Sequence, residues 1–183
     1  MQIIETQIPG LLEIIPKVFG DDRGYFYESY SKAAFERIGV NSEFVQDNQS
    51  MSSRGVLRGL HFQNPPFAQG KLVRVIQGSV LDVVVDIRKN SPTYGKHHKV
   101  ILSGENKLMF WIPPGFAHGF ATLEDNTIFS YKCTNVYSKE SEGSVLWNDP
   151  DIGIDWGLDN PLLSPKDQEA EPLSKLDSQF IFS

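Results

Sequence analysis

One cysteine, Cys133, in 183 residues leaves no partner for an intrachain disulfide, and the pattern suits a reducing compartment. No apolar run approaches the roughly 18 residues that a membrane-spanning helix requires. The 17 Lys and Arg residues form no runs and the net charge is −6, so no basic stripe exists for a nucleic-acid backbone. Nucleic acid and membrane are therefore not expected partners. Met1-Gln2-Ile3-Ile4-Glu5 lacks the basic-then-apolar build of a secretory leader, which makes a cytoplasmic protein the expectation. With 40% hydrophobic and 22% charged residues, the chain is expected to fold as a single domain over 1–183 with a sizeable core. An acidic protein can still take a small anion if a few cations converge. Arg23, Arg58, Lys71 and Arg74 are placed for that, in apolar or Gly-punctuated segments.

What is present in quantity is short strands broken by Gly and Pro. Leu81, Val83, Val85 and Ile87 alternate with Asp82, Val84 and Asp86, a period of two with one clean apolar face. Gly78-Ser79 separates that run from Lys71–Gln77, which reads as a hairpin. Similar runs occupy Phe44–Met51, Val56–Phe62, His97–Leu102, Leu108–Ile112 and Asn126–Val136. Only Ser31–Ile38 reads as a helix: Ser31 caps it, Ala34, Phe35 and Ile38 make one face, and Gly39 ends it. The last thirty residues, with Asn160-Pro161 and Ser164-Pro165, read as an irregular tail with about one helical turn. Many short strands predict an all-β sandwich or barrel.

His61 stands between Leu60 and Phe62, where a lone histidine is usually structural. Arg58-Gly59 just before it reads as a bulge, a device that would turn Arg58 and His61 into the same cavity despite their odd spacing. His97 and His98 are adjacent, on opposite faces of an edge strand, and expected to be solvated. Tyr131, Cys133, Asn135 and Tyr137 fall at even spacing. In one extended strand their side chains share a face, with the two rings up to about 20 Å apart at roughly 3.3 Å per residue. Lys166-Asp167 reads as a solvated turn, and nothing local brings Asp167 to His61.

Pro113-Pro114-Gly115-Phe116-Ala117-His118 matches Pro-x-Gly-x-x-His, the second signature of the cupins, small double-stranded β-barrels that usually bind a metal. The resemblance implies a jelly roll (a cupin-like double-stranded β-helix). The first cupin signature should supply a His-x-His pair and a Glu. Here the segment reads His61-Phe62-Gln63, and Asn64 to Lys71 contains no Glu. Two imidazoles and a lysine make a poor ligand set, so no metal and no cofactor is expected. His61 is left free to act as an acid or base.

Six segments in order resemble a narrower family, the dTDP-4-dehydrorhamnose 3,5-epimerases. They are Asp22–Phe26, Gln46-Asp47-Asn48, Val56–Gln63, Pro113–Phe120, Tyr131–Tyr137 and Leu163–Asp167. The resemblance implies that His61 is the general base, Asp167 its orienting carboxylate and Tyr131 the general acid on the other face of the sugar. Lys71 would lie near the C4 oxygen, Arg23 and Arg58 would hold the diphosphate, and Tyr137 would stack on thymine. Phe26, Glu28, Gln46, Asp47, Asn48, His118, Glu142 and Lys166 would line the site. It also implies a homodimer and a dTDP-4-keto-6-deoxy-hexose substrate. The apolar run Leu11-Leu12-Glu13-Ile14-Ile15 is a candidate for pairing across a two-fold axis.

The residue types suit that chemistry. In a 4-keto sugar the C3 and C5 hydrogens both flank one carbonyl and are unusually acidic. An ordinary imidazole, titrating near about 6.5, suits proton removal at neutral pH. A carboxylate on its other nitrogen fixes the tautomer, and a lysine beside the developing oxyanion stabilises the enolate. A single-carbon epimerase or a 3,4-ketoisomerase acting on a similar substrate is the close rival. A metal-dependent cupin is disfavoured by Gln63, and a non-catalytic sugar-binding module leaves the His, Asp, Lys and Tyr set unexplained.

Overall fold

The computed structural model describes residues 1–182. The strands are β1 (Gln2–Glu5), β2 (Leu12–Ile15), β3 (Phe19–Asp21) and β4 (Gly24–Phe26), followed by the helix α1 (Lys32–Glu36). Then come β5 (Gln46–Ser52), β6 (Leu57–Gln63), β7 (Lys71–Gln77), β8 (Ser79–Asp86) and β9 (His97–Ser103). β10 (Met109–Ile112), β11 (Phe116–Thr122), β12 (Thr127–Cys133), β13 (Glu142–Ser144) and the helix α2 (Pro165–Gln168) complete the order. Two antiparallel sheets face each other. One runs β1-β2-β10-β7-β12-β5 and the other β13-β6-β11-β8-β9, while β3 and β4 form a separate hairpin. This is the expected all-β jelly roll.

Gly78 corrects one expectation. β7 and β8 are consecutive and one residue apart, yet they do not pair. β7 lies between β10 and β12, whereas β8 lies between β11 and β9 in the opposite sheet. The chain changes sheets at Gly78, whose φ of +76° suits glycine and where a Cβ would meet Thr127 Oγ1 at 2.3 Å. The crossing explains β8. Val83 and Val85 pack outward under the tail, Val80 and Val84 pack inward between the sheets, and Asp82 is fully buried. Both faces of this strand are covered, so its aspartates mark an interior polar site rather than a solvent face.

The core has three parts. Between the sheets, Val73, Val75, Phe110, Phe116, Phe120 and Phe129 fill the barrel. Outside the six-stranded sheet, Phe35 and Val40 cover Ile14, Leu72, Met109 and Trp111. Outside the five-stranded sheet, Ile152, Trp156, Leu173 and Phe180 cover Leu57, Leu60, Val83 and Ala117. The irregular tail is thus a core layer, held by buried apolar anchors despite its few helical turns. In α1 Phe35 is the buried residue, but Ser31 makes no side-chain cap bond, and the helix ends at Glu36 rather than Ile38. β9 is an edge strand as expected, yet its histidines are not freely solvated. His98 Nε2 lies 2.9 Å from Glu13 Oε1, and His97 is partly buried. The Asn126–Val136 run ends as a strand at Cys133, so Tyr137 is not on the same strand as Tyr131.

Candidate active site

Two glycines make the cavity wall. The β6–β11 ladder pairs His61 with His118 and Arg58 with Phe120, so Gly59 and Leu60 together oppose the single residue Gly119. Here the backbones approach so closely that a Cβ on Gly59 would fall 2.5 Å from Gly119 Cα, and φ there is +129°. The bulge resets the alternation: Leu57 and Leu60 both face the outer core, while Arg58 and His61 both line one cavity. The sequence expectation of a bulge at Arg58-Gly59 holds.

That cavity, of about 470 Å³, lies within the size range of small-molecule sites. It is lined by His61, Lys71, His118, Tyr131, Arg58 and Asp167, together with Phe120, Phe129 and the tail residues Leu162–Ser164. His61 Nε2 lies 2.5 Å from Asp167 Oδ1. The carboxylate is buried at 3% exposure, whereas the imidazole remains 36% exposed toward the cavity. Asp167 is not in a solvated turn. Leu162 bonds across to Gly55 and Leu57 through the backbone, which lays the tail along the start of β6. α2 then opens with Ser164 as its cap and Pro165 in its first turn. Ser164 Oγ accepts from the Asp167 backbone N–H at 3.2 Å and donates to Asp167 Oδ2 at 2.8 Å. Both carboxylate oxygens are fixed. Burial pushes the Asp167 carboxyl up, but the His61 bond and charge, the Ser164 hydroxyl and Lys166 outweigh it and hold it below the ordinary carboxylate value. An ionised carboxylate can only accept, so His61 donates from Nε2 and keeps its lone pair on Nδ1.

Lys71 and Tyr131 stand together, with the Lys71 Nζ 6.0 Å from the centre of the Tyr131 ring. Burial pushes the Lys71 ammonium down, opposed by Cys133 and Asp82. Burial and Cys133 push the Tyr131 hydroxyl up, opposed by Asn48 and Arg58. The tyrosine is therefore held protonated at neutral pH. His118 is buried, with Nε2 2.9 Å from Asp82 Oδ2; burial lowers its pKa, against the pull of Asp82. Arg58 donates from Nε to Ser52 Oγ at 3.2 Å.

The remaining expected residues fall into three groups. Gln46 and Asn48 lie on β5, Asn48 directly across from Tyr131, and Gln46 accepts from the Tyr137 backbone N–H at 2.9 Å. Glu142 on β13 pairs with Lys166 at 2.7 Å. These four adjoin the cavity residues by strand or chain neighbourhood. Asp47 also lies on β5, where period-two alternation turns it away from Gln46 and Asn48 and Lys132 holds its carboxylate at 2.9 Å. Arg23 and Phe26 sit on the exposed β3–β4 hairpin, where Arg23 pairs with Asp21, and Glu28 follows it, exposed. The hairpin forms its own cavity of about 320 Å³, which shares no lining residue with that of His61. Sequence reasoning missed Asp82 and Ser164. Ser164-Pro165-Lys166-Asp167 is a readable helix-start signature, and Asp82 is a charge in the middle of a valine-rich strand.

The ligand set of a metal-binding cupin does not fit these residues. The Gln63 amide is fully engaged by backbone groups, and Asp167 and Asp82 hold a ring nitrogen of His61 and His118. Among the described residues no three His, Cys, Asp or Glu side chains are grouped to hold a metal ion.

Residues 5–175 match the family model described as dTDP-4-dehydrorhamnose 3,5-epimerase. The chain belongs to this family. It is 57% identical over 168 residues to a dTDP-4-dehydrorhamnose 3,5-epimerase from Shigella flexneri, covering 91% of this chain and 93% of that one. Among solved structures it resembles the dTDP-6-deoxy-D-glucose-3,5-epimerase of Legionella pneumophila in complex with dTDP-4-keto-L-rhamnose. That likeness has 53% identity and a TM-score of 0.93 and covers 96% and 94% of the two chains. A 3'-monoepimerase from Streptomyces bikiniensis in complex with dTDP-quinovose is more distant, at 34% identity and a TM-score of 0.87, covering 92% and 86%.

Proposed function

We propose that this member of the epimerase family inverts C3 and C5 of dTDP-4-dehydro-6-deoxy-D-glucose to give dTDP-4-dehydro-L-rhamnose, with His61 as base. The observation that carries the reading is the His61–Asp167 pair at 2.5 Å, opening on one cavity with Lys71 and Tyr131. His61 takes a proton from a carbon next to the carbonyl, and Asp167 holds the imidazolium that forms. Lys71 faces the C4 oxygen. Its ammonium is disfavoured by burial and becomes favourable as negative charge builds on the enolate. Tyr131 returns a proton to the opposite face, and Arg58 engages the diphosphate. The other substrate contacts proposed are Gln46, Asn48, His118, Tyr137, Glu142 and Lys166.

Arg23, Phe26 and Glu28 line no part of the His61 cavity, and in this reading another copy of the chain brings them to the substrate. We therefore propose a homodimer in which this hairpin, with Phe19, Tyr25 and Phe26 all exposed, meets the partner's cavity. The catalytic reading is tested by turning over dTDP-4-keto-6-deoxyglucose in deuterated water and locating the label by NMR. Deuterium at both C3 and C5 of an inverted product is expected. Label at one carbon alone would make the chain a single-carbon epimerase, the second reading, kept because a monoepimerase shares the fold at 34% identity.

A further inference from the structure

Tyr137 has an exposed ring on a tethered backbone. The residue is 57% exposed, past the end of β12, where no strand partner remains. The flanking peptide groups are held instead by side-chain amides. Gln63 Nε2 donates to Val136 O at 3.1 Å, and Gln63 Oε1 accepts from the Ser138 N–H at 2.9 Å. One amide thus grips the chain on both sides of Tyr137, as the peptide group of a neighbouring strand would. Gln63 Nε2 also donates to Phe67 O at 2.7 Å, and the side chain is 5% exposed. Gln69 Nε2 reaches the same segment one step earlier, donating to Asn135 O at 2.8 Å.

We infer that Gln63 is a positioning residue for nucleotide binding: it fixes the backbone around Tyr137 so that the ring is presented to the base without an ordering cost on binding. The residue type is decisive. The position needs a donor and an acceptor on one planar group. A glutamate would set a carboxylate against the carbonyls of Val136 and Phe67, and a methionine would leave both carbonyls and the Ser138 N–H unpaired. Freezing a binding loop beforehand improves affinity because less freedom is lost when the ligand arrives. The role also explains why a cupin strand carries glutamine where a metal-binding relative would carry a ligand histidine. The inference rests on the proposed reading that Tyr137 stacks on the base.

The test is Gln63→Met, with dTDP affinity by calorimetry, KM and kcat for the keto sugar, and thermal unfolding. We expect Kd for dTDP and KM to rise about tenfold, with kcat within about threefold of wild type. In a Tyr137→Ala background, Gln63→Met should add little further loss, because it acts through that ring. Gln69→Met unties the same segment from a less buried side chain. It should raise Kd about threefold, and it decides the matter if Gln63→Met does not fold. Unchanged dTDP affinity in the folded variant, a fall in kcat at constant KM, or full additivity with Tyr137→Ala would overturn the inference. Failure of the wild-type chain to bind dTDP at all would instead overturn the proposed function.

Discussion

A proton donor for the far face of a sugar ring must be protonated at neutral pH, and a base for the near face must present the ring nitrogen that carries the lone pair. Burial of the Tyr131 hydroxyl meets the first need, and the tautomer fixed by Asp167 meets the second. His61→Ala should abolish solvent exchange at C3 and C5, a loss on the order of a hundredfold to ten-thousandfold, while dTDP still binds. Tyr131→Phe should retain exchange at one carbon or both while inverted product falls steeply. Deuterium wash-in and product formation, followed together, separate the two variants. Wild-type exchange in His61→Ala would show that another residue is the base. Stability carries a second signature. Burial lowers the pKa of both His97 and His118, with the Lys99 charge adding at His97 and Asp82 opposing at His118. Between those lowered values and about 6.5, the unfolded chain binds protons that the folded chain does not. Stability is therefore expected to fall as pH drops through that interval, before the carboxylates titrate, and denaturant midpoints across pH 7 to 5 would read it. At this scale His61 was legible from its motif and bulge. Asp167 was legible only through the family resemblance, because its partner is 106 positions away and only folding of the tail joins them.

The bulge in β6 is the element on which the cavity depends. Gly59→Ala forces a left-handed φ on alanine and drives its Cβ toward the Gly119 backbone, so a loss of about 2–4 kcal/mol is expected in denaturant unfolding. Activity should fall further than stability, since the same change re-aims Arg58 and His61. A stable, fully active Gly59→Ala protein would show that the bulge does not set the site. Strand spacing made most of these elements readable, because alternation survives in a single sequence. The Gly78 crossing did not read: a one-residue link between strands looks like a tight turn, and only the sheet each strand joins distinguishes the two. Likewise Ser31 has the chemistry and the extended backbone of a cap without the bond, which residue type alone does not reveal.

For the whole molecule, light scattering at micromolar concentration should give twice the chain mass, and a stable monomer would remove the proposed route by which Arg23 reaches a substrate. Exhaustive chelation should leave turnover unchanged, with activity that vanishes and returns with one divalent ion as the opposing outcome. The fold class was legible as a whole because many short strands with cupin punctuation leave few architectures open. The irregular course of the tail was legible too, but its burial was not, because its buried residues, Ile152, Trp156, Leu173 and Phe180, follow no period. Irregular backbone can be core without announcing it.

The docking of Leu162 beside Gly55 and Leu57 has a consequence in time as well as in space. A chain made from its N-terminus completes every strand of both sheets before the residues that orient His61 exist. During that interval the outer face of Leu57, Leu60 and Ala117 lacks the tail that covers it. Catalytic competence is then the last property this polypeptide acquires during synthesis, and it arrives with the same segment that shields the sheet from aggregation.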